Sequence, residues 1–133
     1  MANVEEIYKD RQHEEFYSHY LSRCRYRDSH HKALVYCLGI DENTRKHIHD
    51  IYDFDTGCIK TECIHEGWQT SGSRKVVRLA FNLYTDGTAS VYDYGSQGEQ
   101  LGECRRYSVA EIMCCEYLKY FLEAVRIRYS DYL

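Results

Sequence analysis

His47, His49, Cys58, Cys63 and His65 crowd into nineteen residues, and imidazole nitrogens and thiolates are the donors that zinc prefers. Their spacing argues the other way. On a helix His47 and His49 would point to different sides. Cys58-x4-Cys63-x-His65 also lacks the close cysteine pairs of a structural zinc site. The expectation is therefore no cofactor, with zinc at these five positions as the alternative. A second metal reading is an HD-type phosphoester or nucleotide hydrolase, which needs a histidine, an adjacent His-Asp pair and a later aspartate around a water-activating metal. His30 or His31, His49-Asp50, and Asp53 or Asp55 fill those roles formally, but the last aspartate follows the pair too soon. Cys63 and His65 are a nucleophile and a base with no third group to orient them.

Cationic residues form two groups. Arg23, Arg25 and Arg27 surround Tyr26, a basic and aromatic pattern suited to nucleic acid. Near a helix C-terminus the same cations would complement the macrodipole. Further on, Arg74, Lys75, Arg78 and Asn82 fall on one narrow arc at about 100° per residue. Arginines in such a row pair bidentately with carboxylates. Asp53, Asp55 and Glu62 are acids within the chain, and an acidic patch on another protein would serve equally. Thr70-Ser71-Gly72-Ser73 could seat a phosphate at a helix start, but the hydroxyls serve equally as N-caps and no Walker pattern is present.

Composition narrows the field. The net charge of −4 does not favour general adhesion to nucleic acid or anionic membrane. No run approaches the roughly 18 apolar residues of a membrane span, and the first residues lack a signal peptide's apolar segment. Seven cysteines, an odd number, suit free thiols in a reducing compartment, so the expected location is the cytoplasm. Fourteen tyrosines against four phenylalanines suit a surface that must bind and also stay wet.

The elements that would position these residues follow from caps and periodicity. Asn3 with Glu6 starts a first helix whose stripe is Phe16, Tyr17, Tyr20, Leu21 and Cys24. Asp28-Ser29 caps a second, through Ala33, Leu34, Tyr36, Cys37 and Leu38, stopped by Gly39. Asp41 caps a third carrying Ile48, Ile51 and Tyr52, and 53–57 is a turn. Residues 73–84 form a helix apolar over most of its circumference, through Val76, Val77, Leu79, Ala80, Phe81, Leu83 and Tyr84. Gly95, Gly98 and Gly102 make 88–106 a short β-hairpin or an ordered loop. Ser108 with Glu111 opens the longest helix, to about Arg128, which should cross 73–84 at the centre. The expected fold is mainly α, a single domain over 1–133 built as a bundle of about five helices.

Trp68-Gln-Thr-Ser-Gly-Ser73, Arg78-Leu-Ala-Phe-Asn-Leu-Tyr84, Leu38-Gly-Ile-Asp-Glu-Asn-Thr-Arg45, Ile51-Tyr-Asp-Phe54 and Phe121-Leu-Glu-Ala-Val-Arg-Ile-Arg-Tyr129 carry a resemblance over about residues 16–129. The chain resembles an uncharacterised domain-of-unknown-function family of Gram-positive gut bacteria, their phages and their conjugative elements. That family has no assigned activity, so no catalytic residue carries over. The resemblance implies a small accessory protein of mobile DNA, acting by protein binding as an anti-CRISPR-like inhibitor of a host defence component. The expected binding face is rich in tyrosine and arginine, and self-association also fits. A metal-dependent hydrolase and a nucleic-acid-binding module are the alternatives.

Overall fold

The computed structural model describes residues 6–89 and 96–133. The helix start expected at Asn3 lies outside the described residues. α1 runs Arg11–Leu21, where the Asp10 carboxylate accepts from the His13 amide. α2, Ser29–Leu38, starts on Asp28 in the same manner and buries every residue from Ala33 to Leu38. A helix apolar all round has to be wrapped. α5 (Ser71–Thr85) and α8 (Leu118–Arg128) both pack on α2, and α1 takes another side. α5 and α8 touch each other less than either touches α2, so the centre is α2 rather than the expected crossing of those two. The reason is that α8 is apolar but one-sided in its burial: Phe121, Ala124 and Ile127 are covered while Leu118 and Leu122 face out.

The expected third helix breaks at His47 into α3 (Glu42–Lys46) and α4 (Ile48–Ile51). A two-stranded antiparallel hairpin follows, β1 (Tyr52–Asp53) with β2 (Cys58–Ile59), Tyr52 opposite Ile59. Asp53 Oδ1 accepts from the amides of Asp55 and Thr56, and Gly57 closes the turn at φ +73°. A 3-10 turn over Thr61–His65 leads to α5, whose start is locked by a reciprocal bond between Thr70 and Ser73.

Two more helices differ from expectation. Residues 97–106, read as hairpin or loop, form α6 (Gln97–Arg106) on a Ser96–Glu99 capping box. Of the stretch 88–106, residues 90–95 lie outside the described residues. The long C-terminal helix is two pieces, α7 (Val109–Met113) and α8, separated at Cys114 (φ −80°, ψ 68°). Side chains hold the break open: Lys75 Nζ donates to Cys114 O (3.0 Å), and the Tyr117 hydroxyl donates to Asp41 Oδ2 (2.7 Å). No helix among the described residues is long and apolar enough to cross a membrane.

Candidate functional site

The polar arc of α5 faces the later helices. Ser71, Arg74, Lys75 and Arg78 are spaced i, i+3, i+4, i+7, so they share a side while Val76, Val77, Leu79 and Ala80 fill the core behind them. α6 answers with Glu99, Gly102, Glu103 and Arg106 at a similar spacing, and Glu111 comes from α7. Together with His65 they line an open cleft of about 500 Å³. That volume lies within the range of ordinary ligand and peptide sites.

Its charges are of two kinds. Arg78 and Glu103 form a bidentate pair, Nε to Oε1 at 2.8 Å and Nη2 to Oε2 at 3.4 Å, with side chains only 12% and 5% exposed. This pair is the floor of the cleft and joins α6 to α5. Arg106 and Glu111 make a looser contact at 3.8 Å on the rim. Arg74 spends its Nε on Ile64 O (3.1 Å) and Lys75 its Nζ on Cys114 O. Those acceptors are neutral, and neither residue makes an ion pair among the described residues. Arg74 and Lys75 therefore border the cleft without a carboxylate partner, and the lining holds four cations against three glutamates in a chain whose net charge is −4.

The expected row is thus divided between the cleft lining and the scaffold. Arg74 and Arg78 line the cleft, whereas Asn82 turns away and donates from Nδ2 to Gly87 O (2.9 Å), closing the end of α5. The acid that Arg78 takes is Glu103, not Asp53, Asp55 or Glu62. Glu103 and Arg106 stand outside the expected site residues because 97–106 reads as hairpin or loop rather than helix. The signal was present, since Ser96-x-x-Glu99 has the same form as Ser108-x-x-Glu111.

Arg23, Arg25, Tyr26 and Arg27 follow α1, and all four are exposed. Arg25 donates to Asp55 O and Arg27 to Ser22 O (3.3 Å), so both brace backbone carbonyls. Arg23 borders a small recess that also contains Asp53 and Asp55. Tyr26 is 66% exposed.

The five metal-ligand candidates are not brought together. His47 stacks on Trp68 with centroids 4.2 Å apart, and its Nδ1 contacts Asp50 Oδ2 at 3.0 Å. His49 meets the edges of Tyr20 and Phe54. Cys58 is exposed on β2, while Cys63 is buried and its thiol is pushed up to about 12 by that burial. His65 lies at the cleft. Among the described residues no three His, Cys, Asp or Glu side chains converge as a metal site would require. The HD scheme is scattered too: His30 meets Arg128 and Asp86, and His31 meets Asp28.

No curated protein and no solved structure matches the chain. One family model does, over residues 3–133, nearly the whole length, and the chain belongs to that family of unknown function, DUF6075.

Proposed function

We propose that this protein works by binding another protein, taking an acidic segment of it into the cleft between α5 and α6–α7. The observation that carries this is that Arg74 and Lys75, in a cleft where Arg78 and Arg106 are already met by Glu103 and Glu111, have only neutral acceptors, on a molecule that is acidic overall. A local positive patch on a negative surface steers one kind of partner and repels the rest. Nucleic acid is a poor fit to such a molecule, because the remaining surface opposes a polyanion. In the setting that the sequence resemblance implies, the protein is an accessory factor of a phage or mobile element in the bacterial cytoplasm. Its partner is then a component of a host defence complex, and binding inhibits that complex as an anti-CRISPR protein would.

The test is affinity capture from lysates of a bacterium with an active defence system, using wild type and the double variant K75E/R106E. Both variant positions lie at the cleft, and a thermal melt controls for folding. Wild type is expected to capture a defence component in a salt-sensitive manner, with at least tenfold less on the variant. Recovery of no protein at low and moderate salt, or equal recovery by both, would overturn the proposal.

A further inference from the structure

α6 is held against the molecule by charge and not by burial of apolar surface. Glu103 is the residue it buries, and its large apolar side chain, Leu101, is exposed. A Cβ at Gly98 or Gly102 would meet nothing within 4 Å, so no close packing calls for glycine there, yet each glycine weakens the helix that carries it. Beside the Arg78–Glu103 pair, Cys104 Sγ meets Thr88 Oγ1 at 3.4 Å. Tyr107, buried just after α6, donates its hydroxyl proton to Ala89 O.

What Glu103 does at Arg78 is what an acidic partner would do there. Arg74 and Arg78 stand four residues apart on one side of α5, a rise of about 6 Å. Carboxylates about one helical turn apart on a partner would match both guanidinium groups. Arg74 makes no ion pair among the described residues, whereas Arg78 is already held bidentately by Glu103. Exchanging one carboxylate for another at Arg78 leaves the guanidinium paired, and so avoids the penalty of stranding a buried charge. Lifting α6 uncovers little apolar surface and returns Glu103 to water, where a carboxylate is well solvated.

We infer that α6 is a built-in competitor for the acidic segment proposed to enter the cleft, with Glu103 holding Arg78 until a partner carboxylate displaces it and α6 swings outward. The competition rests on an acidic partner at this cleft, and it sets how strong that partner has to be. A ligand's apparent affinity falls by the fraction of molecules in which α6 is away from Arg78. A singly charged acid then fails to open the site, and a segment with several carboxylates in a row succeeds.

Binding of a fluorescently labelled octaglutamate peptide to the full chain at low salt, read by anisotropy, tests the competition. Wild type is expected to bind, and E103Q to bind at least about tenfold tighter, because the competitor has lost its charge. E14Q makes the same change in net charge at an exposed position on α1, and is expected to bind within about threefold of wild type. Hydrogen exchange of wild type should show α6 amides speeding when the peptide is added. E103Q binding no tighter than E14Q, or α6 amides slowed by the peptide, overturns the inference and leaves the acidic-segment reading standing. No binding by either wild type or E103Q removes both.

Discussion

His13 can hold only one protonation state where it lies. It has no exposed surface, and each ring nitrogen faces a group with a fixed role. The Lys9 amide can only donate, so Nδ1 accepts from it (3.1 Å); the Tyr36 carbonyl can only accept, so Nε2 carries the proton toward it (2.8 Å). A second proton would turn two N–H groups toward each other. Burial pushes the pKa down to about 4; the Tyr36 carbonyl and Asp10 oppose that, while Arg45 and Lys9 add to it. The folded value lies below the ordinary 6.5, so the unfolded chain takes the proton first. The stabilisation is complete above that value and is lost as pH falls toward the folded one. Between pH 7 and pH 4.5 this single site should cost roughly 2–3 kcal/mol. Urea unfolding at the two pH values checks it: wild type should lose more than H13Q by about that amount, and equal losses would assign the acid sensitivity elsewhere. Two further bonds strap the segment before α1, since Ile7 N donates to Glu123 Oε2 (2.8 Å) and the Tyr36 hydroxyl donates to Ile7 O.

Between α1 and α2 the controlling residue is Gly39. Its backbone is ordinary right-handed helix (φ −79°), so left-handed freedom is not the reason for it. A Cβ there would stand 2.7 Å from His13 Cδ2 and 2.9 Å from Phe16 Cδ1. Both rings are buried, and His13 is pinned at both nitrogens, so neither gives way cheaply. G39A should therefore destabilise by about 1–3 kcal/mol; a thermal melt unchanged from wild type would mean that α1 shifts freely over α2. Local chemistry made some elements legible and not others. Asp28 and Asp41 caps, the Thr70–Ser73 start and the apolar run of α5 are signals within a few residues, and they placed α2, α5 and the start of α3 near their true bounds, though not the break at His47 that ends α3. The break at Cys114 is invisible locally, because Lys75 and Asp41, about forty and seventy residues upstream, hold it open. α6 was obscured by its glycines, which weaken a helix but do not forbid one when an ion pair anchors it. The cleft was half legible for that reason: the α5 row was visible, and its opposite wall was not.

Across the whole molecule burial is uneven, and stability should be uneven with it. α2 has six consecutive buried residues and touches three other helices. α6 buries a single residue, Glu103, and that residue is charged. A buried carboxylate is tolerable only while its partner is present, so the Arg78–Glu103 pair is what keeps α6 against the rest and the cleft in shape. Native-state hydrogen exchange should then find α2 amides opening only with global unfolding, and α6 amides opening locally at much lower cost. R78M leaves Glu103 buried without its cation, at roughly 3 kcal/mol. If that cost is relieved by lifting α6 alone, α6 exchange speeds by about a hundredfold while α2 protection is untouched. If instead α2 loses protection by the same factor, the two helices open together. The cleft would then be part of the core's cooperative unit, not a wall that can part to admit a partner.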